Sequence, residues 1–169
     1  ERIRDTHDGL LVAPVAGAIA ALVAELHDDP SALAQRFRPD VMQLPVSMLD
    51  QRLIRDGTLA RLKALKVEVH ARSIFLQGLL FLDTLPPKLR PAAPALAAIK
   101  KRIADAGSTP LAAALGFVLS RPEIDVALVG VTQAAELAEI LAAAAQPLPG
   151  LDWPALALDD ELALTPSRW

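Results

Sequence analysis

"VEVHARSIFLQGLL", residues 67–80, begins as a strand and stops being one at its centre. Val67, Val69 and Ala71 alternate with Glu68, His70 and Arg72, the period of two expected of a strand with one apolar face. Ser73 and Gln77 then interrupt an aliphatic run that closes on Gly78. Burying a polar group without a partner costs about 1–3 kcal/mol. These residues therefore either satisfy one another locally, or the strand end is shaped for a ligand.

Outward from this stretch, strand-like and helical runs alternate. "DGLLVA" (8–13) reads as a buried strand, Ala16 to His27 as an Ala-rich helix, and 31–37 as a second helix with Ser31 in the capping position. "PDVMQLPV" (39–46) is strand-like and is stopped by Pro45, and 56–65 is helical. Beyond a proline-rich loop around 86–94 come helices at about 95–106 and 110–120, the latter opened by Thr109 as N-cap and Pro110 at the first helical position. "EIDVALVG" (123–130) reads as a strand of the buried, parallel type, and "TQAAELAEILAAA" (132–144) as the helix after it. The tail with Trp153 and Trp169 reads as irregular, with one helical turn. Alternation without hairpin signals predicts an α/β fold, a parallel sheet with crossover helices. Three or four such units fit a barrel sector or a small doubly wound sheet, and periodicity does not separate them. No repeat or low-complexity linker divides the chain, so 1–169 reads as one domain.

Composition narrows the function. The net charge is −3 and the basic residues are dispersed among acids, which argues against a nucleic-acid surface. There is no cysteine, which excludes disulfides, thiolate metal sites and a cysteine nucleophile and fits a cytoplasmic protein. There is no tyrosine either. Residues 10–24, "LLVAPVAGAIAALVA", carry no charge, but they are short for a membrane span of about 20 residues and are interrupted by Pro14 and Gly17. The preceding segment is acidic as well as basic, unlike a signal peptide. No membrane partner is expected.

Parallel α/β folds bind ligands at the carboxyl ends of their strands. Three such ends carry polar groups: Gln43 in "VMQLP", Ser73 and Gln77 after the strand at 67–72, and "VGVTQAAEL", where a helix opening after Thr132 offers free N–H groups. The plain alternative for the last is a capped helix after a tight turn. His7, His27 and His70 have no metal-ligand spacing, "HDD" (27–29) reads as solvated carboxylates, and no metal site is expected. No nucleophile elbow, P-loop or dinucleotide glycine fingerprint is present. Asp125 and Glu123 lie at the start of a strand, away from the face where chemistry occurs.

The blocks "PDVMQLPVSMLDQR" (39–52), "VEVHARSIFLQGLL" (67–80), "VALVGVTQAAELAEI" (126–140) and "LDWPALALDDELALTPSRW" (151–169) resemble, in order, the aldo-keto reductase superfamily, and within it a bacterial branch of NADP-dependent oxidoreductases. The resemblance implies the last four to five units of a (β/α)8 TIM barrel, with NADP(H) across the carboxyl strand ends, NAD(H) remaining open. It implies hydride transfer between a nicotinamide and a small carbonyl substrate. By motif, Gln43 matches the group contacting the nicotinamide amide, and Ser73, Leu76, Gln77 and Gly78 border the pyrophosphate. Gly130, Thr132 and Gln133 would cradle the adenosine phosphate, and Glu136 and Glu139 would line the adenine side.

The departures concern catalysis. The family's Asp, Tyr and Lys precede the matched region, no tyrosine replaces the missing one, and the histidine position falls on Ala13. No catalytic residue is assigned. Part of a unit between Ala13 and Ser31 reads as deleted, and Gln133 stands where a basic residue would select the 2′-phosphate. The chain is therefore expected to be an N-terminally truncated reductase domain that reduces carbonyls only if completed by missing strands. The alternative is a non-catalytic half barrel that acts by self-association through exposed sheet edges, as a homodimer, or with a partner chain. A third reading is a small doubly wound binding domain unrelated to reductases.

Overall fold

The computed structural model describes residues 29–169 and the short segments 3–4 and 11–12. Its centre is a parallel three-stranded sheet in the order β3 (Val41–Pro45), β4 (Glu68–Arg72), β5 (Val126–Ala127). The register pairs Gln43 with His70 and Pro45 with Arg72 on one side of β4, and His70 with Val126 on the other. Alternation works as it should: Met42, Leu44, Val69 and Ala71 are buried, whereas Val41, Gln43, Glu68 and Arg72 are exposed and His70 is half-buried. The sheet thus has an apolar face and an open polar face. On the latter, His70 Nε2 lies 2.6 Å from Glu68 Oε1, so this histidine is partnered within its own strand.

Two expectations are corrected here. Of the run 8–13, the described Leu11–Val12 (β2) pair antiparallel with Ile3–Arg4 (β1) and not with this sheet. The strand expected over 123–130 is assigned at two residues only. Its ladder runs from the Asp125 N–H on Val69 O (2.9 Å) to the Leu128 N–H on Ala71 O (2.8 Å). Before it, Ile124 closes a turn on Arg121 O; after it, Val129 to Thr132 leave the sheet, and β5 stands at its edge among the described residues. The helix expected over 16–27, and the candidate positions His7, Ala13 and His27, lie outside the described residues.

Helices supply the other half of the core: α1 (Pro30–Phe37), α2 (Arg52–Arg55), α3 (Thr58–Ala64), α4 (Ala93–Asp105), α5 (Pro110–Leu119) and α6 (Ala134–Ala144). The start of α1 differs from expectation. Pro30 is its first residue, and Asp29 Oδ1 accepts both the Ser31 N–H (3.1 Å) and the Ser31 hydroxyl (2.7 Å), so the capping carboxylate is Asp29 and not Ser31. Helix α5 starts as expected, with Thr109 Oγ1 accepting the Ala112 N–H at 3.2 Å. It is buried from Ala112 to Val118, which explains its uninterrupted apolar composition. Leu59, Leu62, Ile103 and Phe117 join the sheet's apolar face in one core.

The tail is more ordered than its composition implies. Two short 3₁₀ turns, Trp153–Leu156 and Pro166–Arg168, frame a segment whose Leu156, Leu158, Ala163 and Leu164 are buried in the main core. Gln51 ties it down, its side-chain amide donating to Met48 O (2.8 Å) and Trp153 O (2.6 Å). The Trp153 ring meets Phe117 edge-on at 5.6 Å, and Arg121 stacks on that same phenylalanine ring at 4.6 Å. Among the described residues, no helix is long and apolar enough to cross a membrane.

Candidate functional site

The chain leaves β4 through a contorted loop. Ser73, Leu76 and Gln77 have φ of 57°, 44° and 53°, followed by Gly78 at 75°. Left-handed backbone costs a non-glycine residue about 1–3 kcal/mol, and such conformations persist only where the surroundings hold them. Here the Leu76 N–H bonds to Ser73 O (2.8 Å) and the Gly78 N–H to Phe75 O (2.9 Å), while Leu76, Leu79 and Leu80 are buried beneath. The loop is therefore clamped from below, with Ser73 and Gln77 at its rim. The polar interruption of "VEVHARSIFLQGLL" is a change of backbone direction at the strand end.

Beside this loop, the segment leaving β5 forms the opposite wall of an open groove of about 670 Å³. The groove brings together Ser73, Leu76, Gln77 and Gly78 from the first wall with Gly130, Thr132, Glu136 and Glu139 from the second. Its floor is apolar and includes Phe75 and Phe81, whose rings stack edge-to-face at 5.9 Å, together with Leu128 and Val129. Motif reading passed over this floor, because its apolar residues carry no signal distinguishing them from core. Two expected residues stand apart. Gln43 lies mid-strand on the sheet's open face beside His70, and Gln133 does not line the groove.

The head of α6 explains the second absence. The Glu136 carboxylate turns back over its own helix end and accepts the Thr132 N–H (2.7 Å), the Thr132 hydroxyl (3.2 Å) and the Gln133 N–H (3.3 Å), while the Gln133 side chain takes the reciprocal place in a capping box. The Thr132 N–H above all, with that hydroxyl and the Gln133 N–H, holds Glu136 below the ordinary carboxylate range. Two N–H groups and one hydroxyl just ahead of this helix are thus already committed to an acidic side chain. Gly130 differs: apart from its chain neighbours, no atom of the described residues lies within 4 Å of where its Cβ would stand, so packing among them does not require glycine there. Among the described residues, no three acidic or histidine side chains converge as a metal site.

No protein-family model and no curated protein matches the sequence. Solved structures do match. The aldo-keto reductase AKR11C1 from Bacillus halodurans aligns in its holo form with a TM-score of 0.61 over 85% of this chain, and in its apo form with 0.60 over 88%, each at 15% identity.

The chain has the fold of part of an aldo-keto reductase barrel.

It spans 55% and 58% of those two structures' length, a little more than half. In an aldo-keto reductase barrel sector, the groove lies at the carboxyl ends of β4 and β5, the end at which parallel α/β folds place their ligands. The resemblance read from the four sequence blocks and the likeness in three dimensions point to the same fold.

Proposed function

We propose that this chain is one domain supplying the dinucleotide-binding side of an aldo-keto reductase-like oxidoreductase, with the groove between Ser73–Gly78 and Gly130–Glu139 as the cofactor site. The supporting observation is that residues from two separate sequence blocks, 67–80 and 126–140, both matched by the resemblance to cofactor contacts, line one groove at the carboxyl strand ends. A bound nicotinamide dinucleotide would supply hydride to, or accept it from, a carbonyl carbon. This chain's part would be to hold it: the left-handed loop presenting Ser73 and Gln77 beside the pyrophosphate, Gly130 giving close backbone access, and the apolar floor excluding water. With no tyrosine in the sequence, the chain itself offers no tyrosine acid for proton transfer.

The resemblance implies NADP(H). The capped head of α6 favours NAD(H), because Glu136 and Glu139 line the groove and, among the described residues, no lysine or arginine does. A 2′-phosphate would meet a carboxylate where it needs a cation. Calorimetric titration of the chain with NADH and NADPH tests both statements: binding of neither removes the dinucleotide reading, and tighter NADPH removes only the preference.

A self-associating half barrel is the second reading. It is favoured by the edge position of β5 and by the exposure of Leu119, Leu137, Leu141 and Leu148 on and around α5 and α6. A concentration-dependent dimer in sedimentation equilibrium, with no dinucleotide binding, would select it.

A further inference from the structure

A second recess of about 290 Å³ opens at the carboxyl ends of β3 and β4, sharing Ser73, Leu76 and Gln77 with the groove. Its far wall comes from the tail, through Thr165 and Ser167. Three charged side chains line it. Arg52 and Asp50 cancel each other: Arg52 Nε and Nη2 donate to the two carboxylate oxygens of Asp50 at 2.8 and 2.7 Å. Among the described residues, Arg72 has no such partner. It is exposed, and its hydrogen bond is a long one, from Nη1 to Ser73 Oγ at 3.4 Å. The acid nearest to it on its own strand face, Glu68, is engaged by His70. Among the described residues the recess therefore carries one positive charge without an acidic partner, in a protein whose net charge is −3.

Ser47 adds a buried donor. Ser47 is among the residues lining the recess and is 1% exposed, and its Oγ accepts the Asp50 N–H at 3.0 Å. That bond uses a lone pair and leaves the hydroxyl proton to give, with no acceptor for it among the described residues. A guanidinium free to make paired hydrogen bonds beside a buried hydroxyl donor is the chemistry that recognises carboxylate and phosphate oxygens.

We propose that this recess is an anion-binding site, with Arg72 as its charged anchor and Ser47 as a buried donor, and that it holds the carboxylate or phosphate group of a small molecule whose remainder lies along the adjoining groove. That group belongs either to an acidic substrate or to the pyrophosphate of a dinucleotide. The site itself stands without the dinucleotide reading, since its test uses simple anions.

The test is an amide NMR titration of the chain with inorganic phosphate and with malonate at constant ionic strength. Three variants accompany it: Arg72→Gln, Arg72→Lys, and Lys101→Gln on the exposed face of α4 as the matched loss of one charge. The expected result is saturable shifts at Ser47, Ser73, Thr165 and Ser167. Affinity should be at least tenfold weaker in Arg72→Gln, intermediate in Arg72→Lys and unchanged in Lys101→Gln. Absence of saturable shifts there, or equal weakening by Arg72→Gln and Lys101→Gln, overturns the proposal. Repeating the titration with NADH present identifies the source. Displacement of phosphate by NADH, with NADH affinity also falling in Arg72→Gln, assigns the site to the pyrophosphate; phosphate or malonate binding alongside NADH, or unaltered where NADH does not bind, assigns it to a substrate group.

Discussion

Asp125 grips Lys63 with one carboxylate oxygen and the β4 backbone with the other: Oδ1 is 2.5 Å from Lys63 Nζ and Oδ2 accepts the Val69 N–H at 2.9 Å. One side chain at the start of β5 thereby fastens the edge strand both to α3 and to its neighbour. Replacement by alanine frees one end of a two-residue strand and leaves the Val69 N–H without that acceptor, at a cost of about 1–2 kcal/mol. Urea unfolding followed by tryptophan fluorescence measures it, and a midpoint equal to the parent's would show that the strand needs no such fastening.

The same contact sets an acid dependence. The Lys63 hydrogen bond first, and the Val69 N–H second, hold the Asp125 carboxyl below its ordinary value. Its folded-state pKa is therefore lower than its unfolded one, and the stability it contributes is complete above about pH 4 and lost as pH falls through the depressed value. Lys63→Gln removes the larger cause. Between about pH 5 and pH 3 this variant should lose less stability than the parent; equal losses would place the acid sensitivity elsewhere.

Glu136 gives the clearest exchange of ligand preference. Glu136→Lys replaces the carboxylate at the head of α6 with a cation, so NADPH affinity should rise and NADH affinity change little. The variant should also lose helix stability, since its cap is gone. A NADPH/NADH affinity ratio that does not move in calorimetry would show that the adenosine end of the ligand lies elsewhere.

Phe117 is fully buried, carries Trp153 against its ring edge and Arg121 over its face. Phe117→Ala should cost about 3–5 kcal/mol and change the tryptophan emission of the folded chain. A loss under about 1 kcal/mol would mean that the tail does not depend on this ring.

At Gly78, φ is 75° and the nearest atom to an added Cβ is Phe81 Cδ2 at 3.7 Å, so space is ample and backbone strain is the obstacle. Gly78→Ala should destabilise by about 1 kcal/mol and loosen dinucleotide binding through the loop it distorts. Parental stability together with parental NADH affinity would show that the left-handed turn is not needed.

Much of this could be read from residues alone. The alternation in "VEVHARS" gave β4 and its faces, Thr109–Pro110 gave the start of α5, and the polar interruption at Ser73 marked the strand end. What escaped did so for physical reasons. Val129 and Val131 extend an apolar run, but they are apolar as lining of a groove and not as strand, and composition does not distinguish the two. Asp29 and Ser31 flank Pro30 with nearly equal capping power, so only geometry separates them. Gln133 and Glu136 stand three residues apart at the head of α6, and only geometry shows that Glu136 is the one folded over the helix end. The recess around Arg72 was hidden because the tail that completes it is far away in sequence, and the anchor itself looked like an ordinary outward-facing strand residue.

The latch between Gln51 and Trp153 also has a consequence in time. These residues are separated by 102 positions, and most of the two remaining β/α crossovers lies between them. During synthesis, the Gln51 side chain emerges long before the carbonyl that completes its bonding, and contacts at such separation carry a large closure cost that slows folding. Until the tail arrives, the turn after β3 is held only by local bonds and the core lacks Leu156, Leu158 and Leu164. The nascent chain thus passes through an interval with its central strands made and their carboxyl ends unsealed, the stage at which it is most exposed to chaperones, proteases and its own neighbours.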